Sequence, residues 1–256
     1  MKKITLAYYF LAIFIVSSMT SNCLASDFPT LVKTLKPSIV AIGTFQKTRS
    51  PAVNFSGTGF VVGDGLTVIT NAHVVNGLSL LASDEIIGIL TAKGESTEFR
   101  SAVVIAVDEE HDLARLKISG APLPAMELGS PDKIAEGQAI AFTGFPLAAV
   151  LGFHPATHRG IISAITPVTK PTPDSKRLDA KVITQLRRSA YQVYQLDATA
   201  YPGNSGSPVY DPESGIVVGV INSVAIKGLK ETAITNPSGI SYAIPVNFVH
   251  ELLMRK

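Results

Sequence analysis

The sequence predicts an all-β protein with short helices at its edges, and three observations lead there. Short apolar runs rich in Val and Ile recur along the chain, at Ser38 to Phe45, Gly59 to Val62, Ala102 to Val107, Gln138 to Phe142 and Ile216 to Val224. Gly, Pro, Asp and Asn separate these runs, and those residues end strands and build turns. Long amphipathic helices do not alternate with the runs, which disfavours a parallel α/β sheet. The 256 residues suit one large domain or two small ones, and no repeat, low-complexity tract or linker divides them.

Taken in order, the first element is a leader. Lys2 and Lys3 precede an apolar run from Ile4 to Val16, and small and polar residues then lead to Cys23, Leu24 and Ala25. This is the layout of a secretory signal peptide. The run is shorter than the roughly 20 residues a membrane span needs. Cleavage after Ala25 is expected, giving a signal peptide of 1–25 and a mature domain of 26–256. Acylation of Cys23 is the lesser alternative, because Asn22 is bulky where a lipoprotein signal wants a small residue.

Removing the leader removes the only cysteine, so no disulfide braces the fold. The chain carries 22 Lys and Arg against 20 Asp and Glu, and without Lys2 and Lys3 the balance is zero. Neutrality gives no argument for nucleic acid or an anionic membrane as partner. Lys176, Arg177, Lys181, Arg187 and Arg188 read as a solvated loop face.

After the leader, Phe28 to Leu35 reads as a short helix ending before Pro37. TVITNAHVV (Thr67 to Val75) carries His73 at the end of a β-branched run. HDLARLKI (His111 to Ile118) places Asp112 just before an alternating strand. The stretch Pro167 to Arg177, rich in Pro, Thr and Lys, reads as a mobile surface loop. YPGNSGSP (Tyr201 to Pro208) sets Ser205 in a glycine-bounded turn. Val246 to Met254 reads as a second helix, with Val249, Leu252 and Leu253 on one face and Arg255 and Lys256 near its C-terminus.

Three of these residues suggest chemistry together. A serine hydroxyl is a poor nucleophile until an imidazole takes its proton, and a carboxylate must fix that imidazole's tautomer. His73, Asp112 and Ser205 supply base, orienter and nucleophile. Glycines on both sides of Ser205 permit a turn whose amides can converge on an oxyanion. Taken singly, each residue has an ordinary reading: a structural histidine, a turn aspartate, a loop serine. The remaining histidines have poorer contexts. His111 sits in a charged turn and His250 in the terminal helix. His154 and His158 flank Pro155 in a loop with no third ligand, so no metal is expected. The order His, Asp, Ser also argues against an α/β-hydrolase, which runs Ser, Asp, His and carries G-x-S-x-G where this chain has Ser207 at the fifth position.

SGTGFVV (Ser56 to Val62), TNAHVV (Thr70 to Val75), HDLARLKI, PGNSGSP and GISYAIPVNFV (Gly239 to Val249) resemble the trypsin-like serine peptidases, and most of all the protease domain of the HtrA family. The resemblance covers almost the whole mature chain. It implies two six-stranded antiparallel β-barrels with a cleft between them, His73 and Asp112 in the first and Ser205 in the second. The amides of Gly203 and Ser205 would form the oxyanion hole, and the loop at Pro167 to Arg177 would help to set the active-site conformation. Digestive trypsins carry an Asp immediately before the serine to receive a new N-terminus, whereas Asn204 stands here, so activation by propeptide cleavage is not expected.

The pocket differs as well. Where trypsins carry the Asp that binds Lys or Arg, this chain has Thr199, with Asp197 two residues earlier. The strand Val218 to Ala225 should flank the pocket, so Thr199, Ile221, Asn222, Ser223 and Val224 are expected to line it and to favour small aliphatic residues. Bacterial glutamyl endopeptidases share GNSGSP but use a His on that strand, which is absent here. HtrA proteases usually continue into PDZ domains, and with Lys256 directly after the terminal helix the expectation is a protease domain without them.

The resulting expectation is a bacterial serine endopeptidase, periplasmic or secreted, acting on unfolded or extended proteins. It would need no cofactor, hold no stable membrane association after signal cleavage, and could form a homo-oligomer. The alternative is a latent or non-catalytic peptide-binding or holdase protein on the same fold, and an esterase for small substrates is a weaker rival.

Overall fold

The computed structural model describes residues 27–76, 84–93, 96–130, 134–148, 152–168, 191–222 and 240–255. The leader, most of the stretch from Pro167 to Arg177, and the pocket residues Ser223 and Val224 lie outside them. The first barrel is built from β1 (Ile39–Phe45), β2 (Val53–Val62), β3 (Thr67–Thr70), β4 (Ile86–Lys93), β5 (Ser96–Asp108) and β6 (Leu113–Ile118). The second is built from β7 (Ala139–Gly144), β8 (Ala156–Val168), β9 (Tyr191–Asp197), β10 (Pro208–Tyr210), β11 (Val217–Asn222) and β12 (Ile240–Pro245). Each sheet closes on itself, in the orders β1-β2-β3-β6-β5-β4 and β10-β11-β12-β9-β8-β7, with every strand pair antiparallel. This is the double barrel that the resemblance implied.

The apolar runs are continuous rather than alternating because these strands are covered on both faces. Successive side chains on a strand point to opposite sides. On β1, Val40 and Ile42 fill the first barrel while Ile39 and Ala41 turn outward into the seam between barrels. On β11 a bulge opposite Val209 and Tyr210 breaks the alternation, so Val218 and Ile221 fill the second barrel while Val217 and Val220 face the same seam. Phe60, Leu113, Met126, Phe145, Tyr210 and Ile244 complete the seam.

Between the barrels the chain laces them together. Met126 N donates to Val61 O at 2.8 Å, and Val217 N donates to Glu127 O at 2.8 Å.

The helices are α1 (Phe28–Leu35), α2 (Ala72–Asn76) and α3 (Val246–Met254). Helix α1 covers the turn at Gly215, where an added Cβ would meet Leu31 and Leu35, and Arg159 lies over the Phe28 ring at 4.7 Å. Helix α3 buries Val246, Val249 and Leu252. It is tied back to the first barrel by Arg115, which donates to Leu253 O and Arg255 O at 2.9 Å each.

Two local expectations need correction. His73 lies not at a strand end but in α2, because Ala72, Val74 and Val75 are buried together and tertiary burial overrides the β-branched local preference. His158 is not a loop residue. It lies on β8 opposite Phe142 and stacks on that ring at 4.7 Å, Pro155 standing just ahead of the strand rather than breaking it.

Candidate active site

The turn between β5 and β6 brings Asp112 to α2. The residue has φ 54, a left-handed conformation that few residues other than glycine adopt, and this aims its carboxylate back at the helix. Oδ1 accepts a bond from His73 N at 2.8 Å, and Oδ2 lies 2.6 Å from His73 Nδ1. A third donor arrives from the second barrel, where Asn222 Nδ2 reaches Oδ2 at 3.0 Å. The Asp112 carbonyl accepts from Asn71 Nδ2 at 3.0 Å. At the far end of α2, Asn76 Nδ2 holds Glu109 of the same turn at 2.9 Å.

A carboxylate can only accept, so the neutral imidazole keeps its proton on Nδ1 and presents Nε2 as an acceptor. The side chains of His73 and Asp112 are 28% and 22% exposed, so the pair is half-buried and still reachable from solvent.

Two consecutive reverse turns set Ser205, which takes the second place in the second of them. Asn204 N donates to Tyr201 O and Ser207 N donates to Asn204 O, each at 3.0 Å. Gly203 and Gly206 take the third place in each turn with φ +99 and +86, where a type II turn requires a positive φ. The Pro202 carbonyl accepts from Leu147 N at 2.8 Å, and the Gly203 carbonyl accepts from Thr58 Oγ1 at 2.7 Å. In a planar trans peptide the N–H points opposite the preceding carbonyl. The Gly203 amide therefore turns away from Leu147, and the Ser205 amide turns opposite the Asn204 carbonyl that closes the second turn. Asn204 itself is fully buried.

The Ser205 turn is docked on the first barrel close to His73. Thr58 N donates to Ser205 O at 2.9 Å. A Cβ on Gly57 would meet Val74, the neighbour of His73, at 2.7 Å and Ser205 O at 3.1 Å. Gly206 fits directly against Thr58 and Thr70. On the second barrel, Gly206 N donates to Ile221 O at 3.0 Å, one residue from Asn222. His73, Asp112 and Ser205 are thus gathered from two barrels.

Of the residues expected in the pocket, Thr199 is half-buried beside a segment held by Ser241, whose hydroxyl accepts from Ala200 N and donates to Ala198 O. The Ile221 side chain is sealed in the second barrel's core, and the Asn222 amide is engaged with Asp112. Asn71, Thr58 and Leu147 also hold this site, through Asp112, Gly203 and Pro202. Asn71 left a trace in the sequence, as a polar residue closing an apolar run, whereas Thr58 and Leu147 left none because their partners lie far away in the chain. Among the described residues, no three His, Cys, Asp or Glu side chains gather as metal ligands.

Residues 57–220 match the trypsin-like peptidase domain family. The chain belongs to that family. A probable periplasmic serine endoprotease DegP-like from Halomonas elongata is 30% identical over 192 residues, covering 75% of this chain and 33% of that protein. The mitochondrial serine protease HTRA2 of Drosophila pseudoobscura pseudoobscura is 28% identical, covering 80% of this chain and 40% of that protein. The chain therefore spans less than half the length of these trypsin-like relatives. Among solved structures, Deg5 has a TM-score of 0.61 at 21% identity, covering 87% of this chain and 90% of that one. The HtrA-type protease AlgW with tripeptide has a TM-score of 0.61 at 24% identity, covering 89% and 62%. These two likenesses concern the fold.

Proposed function

We propose that this trypsin-like domain is a serine endopeptidase that cuts unfolded or extended proteins through His73, Asp112 and Ser205. The observation that carries the reading is the Asp112 carboxylate, fixed by three hydrogen bonds, one of them with His73 Nδ1, beside the Ser205 turn. His73 Nε2 removes the Ser205 proton as Oγ attacks the peptide carbonyl. The amides of Gly203 and Ser205 receive the oxyanion, and His73 returns the proton to the leaving amine. Water then attacks the acyl-enzyme by the same proton route. Asp112 orients the ring and steadies the imidazolium.

Cleavage after small aliphatic residues is proposed from Thr199 in place of an acidic residue, together with the small and apolar Ser223 and Val224 that follow β11 in the sequence. The signal sequence ending near Ala25, and relatives named as periplasmic endoproteases, support a periplasmic site of action. The test uses mature protein and its Ser205→Ala variant on unfolded casein, with cut sites mapped by mass spectrometry. Cuts after Val or Ala that fall by about 10⁶ in turnover in the variant are expected. Equal cleavage by both proteins would refute the assignment.

A further inference from the structure

His111 immediately precedes the strained Asp112, yet it is not the solvated turn residue that its acidic neighbours suggest. It is 8% exposed. Its Nδ1 lies 2.8 Å from Asp108 Oδ2 at the end of β5. One ring face stacks on Phe248 of α3, with centroids 3.8 Å apart and planes 17° apart. Tyr191, the first residue of β9, meets the same ring edge to face at 4.8 Å and 74°. Tyr191 and Phe248 touch in turn at 5.6 Å. The imidazole is therefore wedged where the β5–β6 turn of the first barrel meets the second barrel and the C-terminal helix.

Asp108 anchors the other side of the wedge. Its Oδ1 accepts from the amides of Glu110 and His111 at 3.1 and 3.3 Å, and its Oδ2 also receives Arg255 Nη2 at 2.7 Å. A serine or threonine in place of His111 could reach Asp108 but could not span to Phe248 and Tyr191. The ring is what carries the contact across the seam.

We infer that His111 is a positioning residue for the proposed triad, acting through Asp112 by clamping the turn that carries it against β9 and α3. The left-handed backbone at Asp112 persists only if its surroundings hold it. Asn71 and Asn222 hold the carbonyl and the carboxylate, and His111 holds the preceding peptide. Because Ser205 belongs to the second barrel and Asp112 to the first, the same wedge sets the base relative to the nucleophile. The inference rests on the triad reading above.

The test compares mature wild type with His111→Ala, His111→Phe and Asp112→Asn, each checked for folding by thermal melting. The readouts are kcat and KM on an extended peptide, and the low-field proton resonance of the His73–Asp112 bond, which needs no turnover. His111→Ala should lower kcat about ten- to hundred-fold with KM unchanged, the loss typical of misplaced catalytic groups, and should broaden or shift the resonance. His111→Phe, which keeps the stack, should recover most of kcat and the resonance. If His111→Ala does not fold, an altered resonance in folded His111→Gln is the expected result, and a wild-type resonance there counts against the inference. Folded His111→Ala with wild-type kcat and resonance, while Asp112→Asn is inactive, overturns this inference alone. Wild-type activity in Asp112→Asn overturns the triad reading and this inference with it.

Discussion

Asn222 separates two roles that its position in the sequence merges. As a residue of β11 beside the cleft it could be a pocket wall, but its Nδ2 donates to Asp112 Oδ2 at 3.0 Å. A hydrogen bond to a charged group contributes about 1.5 to 3 kcal/mol. Asn222→Leu preserves volume and removes the donor. Expected is a loss of about ten-fold or more in kcat, with KM and the pattern of cut sites unchanged, read by peptide kinetics and mass spectrometry. A changed cut pattern at full kcat would assign the side chain to the pocket instead. The bond was not legible in the sequence because it joins residues 110 apart in the chain on different barrels. The left-handed φ of Asp112 was equally hidden, since Asp before Leu in an acidic turn has no signature of its own.

The Tyr201 to Pro208 turn, proposed to hold the oxyanion, was the most legible element. Gly203 combines φ +99 with a backbone that leaves no room, since a Cβ would lie 2.4 Å from Phe145 O. Gly203→Ala must therefore shift the turn and displace its amide. Losing one oxyanion donor costs about 10² to 10³ in kcat, so a drop of that size is expected while circular dichroism stays native; undiminished kcat would mean the Gly203 amide is not part of the hole. The seam-facing strands β1 and β11 and the Gly59 to Val62 end of β2 were also legible, because burial on both faces makes them largely apolar. Helix α2 was not. AHVVN has the local preferences of a strand, and only the joint burial of Ala72, Val74 and Val75 makes it helical. His158 was hidden by Pro155, whose turn-forming character masks a strand that begins one residue later. Of the proposed triad, His73 and Ser205 stood out because each sits in a short motif, whereas Asn71, Thr58, Leu147 and His111 have partners distant in the chain.

At the scale of the molecule, pH stability divides into two windows with different causes. Burial raises the Asp108 carboxyl, but hydrogen bonds from the His111 side chain and amide, with the charges of His111 and Arg255, outweigh it and leave it below its ordinary 3.8. Burial likewise raises the Asp211 carboxyl, and the amides of Ser214 and Glu213 overcome it. A lowered carboxylate stabilises the fold above 3.8 and loses that contribution as pH falls through the folded value, so both act only in strong acid. His158 acts earlier. Its half-buried ring stacks on Phe142 near Tyr201, Nε2 has no partner among the described residues, and this partial burial pushes its pKa below the ordinary 6.5. Below 6.5 the unfolded chain binds a proton that the folded chain resists, so stability falls as pH drops from there toward the folded value. His158→Phe keeps the stack and removes the titration. Unfolding free energies from urea titrations at about pH 7 and about pH 5 should fall less in His158→Phe than in wild type. Equal losses would mean that the His158 ring reaches solvent when protonated, and that the acid sensitivity of the second barrel lies elsewhere.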